Sequence, residues 1–428
     1  MEIAADPSSI RIYEEGWQSW SPAGVYQVTA ASPRPPDRRS HTMGWRPGRK
    51  LPAVGFQGEG ILGIAAPGDP TRIWHAPAPD CEVASIRCEA TDDRLVVSAD
   101  GPVVELVVEG ALHEALAALG DLLSPGEIRS LPPGWCSWSA YFGDVTESDV
   151  LENLEAAERL GLPLEVVQVD DGYEAGIGDW LDDDPRFGSL RRVAESVAAA
   201  GKVAGVWTAP FLVGERSDLA AAHPDWLVRG ADAGWNWGQR LLVLDVTNPD
   251  AAEHLRDVYA ALAQRGFGFH KLDFLYAGAL AGGRRADTTP LAAYREGLRL
   301  VREGAGPGAL LVGCGAPLLP SIGLVDALRV GPDVLPEPRG EPPVAEEPAL
   351  DEAIARTRAR AWTHGRLWAA DPDSLVARPE IAARESWAGH VMAYGGVVFS
   401  GDPLQALDER GLELTRAALR PSSTTPVA

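Results

Sequence analysis

The chain has 428 residues, 45% of them hydrophobic and 23% charged, and a net charge of −23. That length suits two to three domains with a large core, and the composition is that of an ordinary globular protein. The negative charge argues against nucleic acid or an anionic membrane surface as partner and favours a neutral ligand over a polyanion. The four cysteines, Cys81, Cys88, Cys136 and Cys314, are too sparse for a disulfide framework. They read as reduced thiols of an intracellular protein, with a Cys81–Cys88 bridge as the alternative. The start, MEIAADPSSIRIYEEG, lacks the basic-then-apolar pattern of a secretory signal. No apolar run approaches the roughly 18 residues of a membrane span. The expected location is the cytoplasm.

Residues 1–126 read as an antiparallel β-sandwich domain: short runs such as AVGFQG, ILGIAA, TRIWHA and VVELVVEG alternate with Gly, Pro and Asp turns. The GxGxxG match at Gly58–Gly63 runs into IAAPGDP, where Pro67 and Gly68 oppose a helix. It is expected to be a hairpin and not a nucleotide loop. Residues 111–124 predict a helix at the domain boundary. From Pro133 the pattern becomes strand–helix alternation, with strands expected at 134–141, 164–171, 202–211, 240–247, 267–274, 309–317, 326–333 and 365–373. Helical stretches are expected at 149–160, 251–264, 291–303 and 352–363. Eight such units predict a (β/α)8 (TIM) barrel over 127–404, and hence an α/β fold class. The runner-up is a doubly wound open sheet, against which stands the lack of a Gly-rich loop after the first strand. Beyond the last of these strands come a helix over 381–394, a strand-like VVFSGD, and a helix and tail over 405–428.

Function in such a barrel gathers at the C-terminal strand ends. Read there, the chain offers Asp170, Asp171, Trp207, Asp245, Lys271, Asp273, Cys314, Arg329, Asp333, Asp371 and Asp373. In FGFHKLDFLY (267–276), Phe267, Phe269, Lys271 and Asp273 share one strand face and His270 the other. Lys271 is one of only three lysines, with Lys50 and Lys202, in a chain that otherwise uses arginine. Arg329 and Asp333 share parity as well. Asp245, in DVTNPD, is better read as a turn or cap former. The absence of HExxH, CxxC and GxSxG motifs points away from zinc chemistry and a serine triad. An Asp-rich rim with aromatics (Trp135, Trp138, Tyr141, Trp207) suits a neutral polyhydroxylated ligand, and two positioned carboxylates are the minimal equipment for cleaving a glycosidic bond. The ionised form of Asp273 is expected to be favoured by Lys271, and Asp333 is expected to be kept protonated by burial.

The motifs GWQSWSP, GWCSWSAYFGDVTESDVLENL, QVDDGYEAGIGDW, GVWTAPF, DVTNPDAAEHL, KLDFLY, VGCGAPLLPSIG, RVGPDV, DPDSL and GGVVFSGD resemble, in this order, the family 36 glycoside hydrolases, the α-galactosidases of the melibiase clan. The resemblance runs from Gly16 to about Pro421. It implies a retaining hydrolase of α-galactosides, with Asp273 as nucleophile, Asp333 as general acid/base and the two carboxyl groups about 5–5.5 Å apart. It implies further that Asp170 and Asp171 hold the O4 and O6 hydroxyls of galactose and that Lys271 binds O3 and O4. Trp207 would shape the pocket near C6, and Cys314 and Arg329 would lie near the 2-hydroxyl. A sandwich tryptophan, Trp45 or Trp20, would reach the pocket, and Trp45 is taken for that role. No metal or organic cofactor is implied. The expected partner is a small oligosaccharide of melibiose or raffinose type, with a homo-oligomer as the assembly that the resemblance suggests.

Two departures stand out. Family members usually carry a C-terminal β-domain after the barrel, expected to be absent here, and Pro332 replaces a small polar residue before Asp333, fixing the backbone there. The alternatives are an α-N-acetylgalactosaminidase or α-galactosyl transferase at the same site, a catalytically impaired carbohydrate-binding protein, and a Schiff-base lyase using Lys271.

Overall fold

Nine short strands precede residue 110 in the computed structural model, which describes residues 2–3, 9–29, 32, 44–49, 51–52, 54–80, 82–90, 94–334 and 348–420. Lys50, Cys81 and the 421–428 tail lie outside the described residues. The strands are β1 (Glu2–Ile3), β2 (Arg11–Glu14), β3 (Gly24–Gln27), β4 (Phe56–Glu59), β5 (Ile61–Ala65), β6 (Thr71–His75), β7 (Ser85–Ala90), β8 (Leu95–Ala99) and β9 (Val104–Val108). They form two antiparallel sheets, ordered β1-β8-β7-β4 and β3-β2-β5-β6-β9. Ile12, Leu62, Ile64 and Trp74 of one sheet and Phe56, Ile86, Cys88 and Val97 of the other share one core, which makes the pair a sandwich. Cys88 is a free, buried thiol.

Gly58–Gly63 is not the expected hairpin. β4 pairs with β7 and β5 with β2 and β6, so the Gly60 corner passes the chain from one sheet to the other. Gly60 turns at φ 81°, and a Cβ there would stand 2.5 Å from Leu319 and 2.7 Å from Val83. The helix Leu112–Leu123 follows, as expected.

The remaining strands are β10 (Gly134–Cys136), β11 (Val166–Val169), β12 (Val203–Thr208), β13 (Leu212–Gly214), β14 (Trp235–Asn236), β15 (Gln239–Val243), β16 (Phe267–Leu272), β17 (Leu310–Gly313), β18 (Ala327–Arg329), β19 (Ala369–Asp371) and β20 (Phe399–Ser400). Eight of them are parallel neighbours in the order β19-β18-β17-β16-β12-β11-β10-β20. The edges meet where Leu375 N–H donates to Phe399 O (2.7 Å) and Val397 N–H to Ala370 O (3.0 Å), closing the sheet into a barrel. Cys136, Val166, Phe269, Val312, Ala327, Ala369 and Phe399 fill its interior.

Two strand expectations are corrected. The 240–247 run is not a barrel strand: β15 lies in a three-stranded antiparallel sheet, β13-β15-β14, built on the excursion between β12 and β16. β12 pairs directly with β16, and the eighth barrel strand is VVFSGD, as β20 beside β10. The 134–141 run is strand only to Cys136 and turns at Ser137 into the helix Trp138–Tyr141.

The crossover helices start on side-chain caps. Thr146 and Asp149 form a reciprocal capping box on Glu147–Arg159. Asn248 and Thr289 cap helices that open on Pro249 and Pro290. Among the described residues no helix is long and apolar enough to cross a membrane.

Candidate active site

Barrel register decides which strand-end side chains meet. Cys136 stands beside Gln168, Trp207 beside Lys271, and Arg329 beside Asp371. All of these share the inward parity of Phe269 and Val312, so the polar ends form a rim above the apolar interior layer. His270 points the other way, against Tyr259, and burial pulls it down to about 4, so it is a neutral packing residue. Trp135 also faces outward: it is buried and donates to Asp402 O, so it does not belong to the rim.

One half of the rim is built on Lys271. Its Nζ lies 2.9 Å from Asp170 Oδ2 and 3.9 Å from Asp273 Oδ2. Burial alone disfavours the ammonium, but Asp170 and Asp273 outweigh it and hold the lysine charged. Asp170 Oδ2 also accepts from Gln168 Nε2 (2.7 Å) and Cys136 Sγ (3.3 Å), and its N–H donates to Ser137 Oγ. Asp273 Oδ2 accepts from Trp207 Nε1 (3.0 Å) and Oδ1 from Phe274 N–H (2.7 Å). Phe274 holds a left-handed backbone at φ 49°, a strained conformation directly after the carboxylate it bonds.

The carboxyl of Asp273 is shifted in the direction opposite to expectation. Burial pushes its carboxyl above the usual range, Lys271 pulls it down and Asp333 pushes it up again. The cost of removing this carboxylate from water is thus larger than the gain from one neighbouring cation.

The other half is built on Arg329, whose guanidinium meets Asp333 (2.7 Å), Asp371 (3.1 Å) and Asp373 (2.8 Å). The burial expected for Asp333 is not found: its side chain is 37% exposed, against 4% for Arg329 and 2% for Asp373. It stands four residues past Arg329, the end of β18, between the buried Gly331 and Val334. Asp371 and Asp373 are the buried carboxyls here, and Asp373, the deeper of the two, is pushed up to about 6 by burial against the pull of Arg329. Cys314 lies buried between the halves; burial and Asp273 keep it a thiol.

Asp171 accepts from Trp237 Nε1 (2.8 Å), and burial pushes its carboxyl up. Glu174, beside it, is driven well up by burial and by the Asp171 carboxyl. Trp237, Glu174 and Gln168 were not anticipated. Gln168 shares parity with Asp170 and was open to detection. Trp237 occupies the tip of the β14–β15 hairpin at φ 48°, followed by Gly238 at φ 65°, and nothing in GWNWGQR announces that the ring folds back over the rim.

An aromatic wall borders the carboxylates: Trp20–Phe274 and Trp237–Phe274 at 5.2 Å, Trp207–Trp237 at 6.2 Å and Trp180–Trp207 at 5.7 Å between centroids. Trp20, not Trp45, is the sandwich tryptophan joined to the rim, and its ring lies 2.9 Å from where a Cβ on Gly315 would stand. Trp45 is half-buried and has no ring contact or hydrogen bond with these groups among the described residues. Asp245 forms a turn: its Oδ1 accepts from Thr247 and its Oδ2 from Arg285 N–H. Below the rim a cavity of about 20 Å³ touches Gln168, Lys271, Arg329, Asp371 and Ser374, room for one water.

Fold and rim define a (β/α)8-type barrel with a carboxylate-rich rim at its strand ends, and known proteins similar to it carry the same fold. The melibiase family profile matches residues 132–274. The bifunctional alpha-galactosidase/sucrose kinase AgaSK of Mediterraneibacter gnavus is 27% identical over 147 residues, covering 32% of this chain and 15% of that protein. Alpha-galactosidase 2 of Pediococcus pentosaceus is 29% identical over 154 residues, covering 34% and 21%. These matches therefore span about a fifth or less of the curated relatives' length. Among solved structures, TtGalA, an alpha-galactosidase from Thermus thermophilus in complex with stachyose, superposes with a TM-score of 0.83 at 29% identity, covering 98% of this chain and 92% of that one. The GH36 alpha-galactosidase AgaA from Geobacillus stearothermophilus (TM-score 0.65, 15% identity, 98% and 62% covered) shares the fold. The chain is thus similar to the melibiase family over residues 132–274 and to alpha-galactosidase structures over nearly its whole length.

Proposed function

We propose that this protein is an α-galactosidase that releases terminal α-linked galactose by a retaining double displacement. The observation that carries the reading is Asp273, a buried carboxylate held by Trp207 Nε1 and Phe274 N–H on the rim that also carries Asp333 on Arg329. In the first step an Asp273 oxygen bonds to the anomeric carbon while the glycosidic C–O bond breaks, and Asp333 gives its proton to the departing oxygen. In the second, water attacks the same carbon, its proton returns to Asp333, and Asp273 leaves as carboxylate.

The immobile donors on Asp273 fix its direction of attack without reorganisation. Asp170, Lys271 and Asp171 offer acceptors and a donor to sugar hydroxyls, and the Trp237 and Phe274 rings offer an apolar face. Trp20 pressed on Gly315 crowds the space where an N-acetyl group at C2 would go, which favours galactose over N-acetylgalactosamine. Lys271, held charged between two carboxylates, is a poor amine nucleophile, which weighs against a Schiff-base lyase. The match to a stachyose-bound neighbour supports an oligosaccharide substrate.

The test is hydrolysis of p-nitrophenyl α-galactoside, α-glucoside and α-N-acetylgalactosaminide. Wild type is expected to turn over the galactoside. Asp273→Ala is expected to lose at least about 10³-fold in kcat and to regain turnover with azide, yielding β-galactosyl azide. A wild type that binds galactose and hydrolyses none of the three would leave a binding protein instead.

A further inference from the structure

Among the described residues the part-exposed carboxyl of Asp333 has one side-chain partner, Arg329, so its direction is set by that guanidinium and by the backbone on either side. Each of these is held by the turn Asp371-Pro372-Asp373. Upstream of Asp333, Val330 N–H donates to Asp371 O (3.0 Å). Downstream, Val334 N–H donates to Asp373 Oδ2 (2.6 Å). The guanidinium itself is gripped by Asp371 Oδ2 through Nε and by Asp373 Oδ1 through its second terminal nitrogen. Asp373 Oδ1 also accepts from Ser374 N–H (2.7 Å), and Asp373 N–H donates to Asp371 Oδ1 (2.9 Å). To make these contacts Asp373 adopts φ 88°, a region in which a non-glycine residue is strained, at a fully enclosed position. A buried acid in a strained backbone costs stability twice, by desolvation and by conformation. Packing alone would be better served by a small neutral residue.

We propose that Asp373 is a positioning residue for the acid/base carboxyl: bridging Arg329 and the Val334 amide, it holds Asp333 at the angle from which it protonates a departing glycosidic oxygen. The inference rests on the α-galactosidase reading above. Removing Asp373 therefore weakens proton donation and leaves attack by Asp273 intact. A sugar alkoxide cannot leave without that proton, whereas p-nitrophenolate can, so the defect depends on the leaving group.

The experiment compares kcat/KM of wild type and Asp373→Asn on raffinose and on p-nitrophenyl α-galactoside, with a thermal melt of each. The expected result is a loss of about 30-fold on raffinose against no more than about threefold on the p-nitrophenyl substrate. Asp333→Ala should show the same selectivity in stronger form. Equal losses on both substrates would overturn the proposal, because a merely structural role does not discriminate leaving groups; so would no loss on either. Should Asp373→Asn fail to fold, Asp373→Glu, which keeps the charge and displaces it by one methylene, carries the same comparison. A wild type inactive on both substrates would sink the α-galactosidase reading itself, an outcome separate from either of these.

Discussion

At the scale of single residues, the rim shows how burial and pairing compete. Asp273 and Asp373 both sit beside a cation, yet burial decides the direction of each. For Asp373 the carboxyl is raised from 3.8 to about 6, so the folded state holds the proton more tightly than the unfolded chain. Its contribution to stability is then fully present below about pH 4 and is lost as pH rises through about 6, an effect on the order of 3 kcal/mol. The difference in unfolding free energy between Asp373→Asn and wild type, from urea melts at pH 4 and pH 7.5, is expected to move in favour of the variant by that order. A difference that stays flat would show that Arg329 keeps Asp373 ionised throughout. For Asp273 the same sign makes the acid limb of activity fall off above the usual carboxylate range, since the attacking form is the ionised one. Parity along a strand needs only the local period of two, which is why Lys271 and Asp273 could be assigned to one face from the sequence. Charge state could not, because it depends on how much water the finished barrel leaves around each group.

At the scale of elements, the β14–β15 hairpin carries the least expected contribution. Its two-residue turn, Trp237-Gly238, takes positive φ at both positions, and Arg216 NH2 pins it through Trp237 O (2.9 Å). The hairpin thereby delivers an indole N–H to Asp171 from a segment that reads as loop. Trp237→Phe keeps the ring between Phe274 and Trp207 and deletes the bond to the carboxylate, a loss of about 1.5–3 kcal/mol if the carboxylate is ionised. The expected outcome is a rise of about tenfold or more in KM for p-nitrophenyl α-galactoside with kcat nearly unchanged. A fall in kcat at constant KM would mean that Trp237 does not act through a substrate-holding Asp171. The confusion of 240–247 with a barrel strand has the same origin. RLLVLDVT and VVFSGD are both short apolar runs with a carboxylate at or near their end, and periodicity carries no record of whether a neighbour is parallel or antiparallel.

Across the whole molecule, the sandwich and the barrel are joined through Arg360. It is fully buried and paired with Glu15 at 2.8 Å, and its guanidinium also donates to Ser19 O, Ser21 O and Val330 O. One side chain thus fixes the GWQSWSP loop, which presents Trp20, to the segment that leads into Asp333. Arg360→Ala would leave Glu15 as an unpaired buried charge and is expected to cost about 3–5 kcal/mol in a urea melt, with near-wild-type stability partly restored by adding Glu15→Gln. A single variant as stable as wild type would exclude Arg360 as the tie between the two parts. Trp20 and Gly315 are 295 positions apart in the chain, and only this docking brings them together. From the sequence alone, ordered motifs and turn-bounded apolar runs pointed to a sandwich followed by a barrel, and parity put Lys271 and Asp273 on one face, because alternation along a strand is a local property. Which run closed the barrel, which tryptophan reached the rim, and that the deeply buried carboxyl on Arg329 is Asp373 while Asp333 faces solvent were decided only by tertiary structure, because burial and pairing are properties of the packed whole.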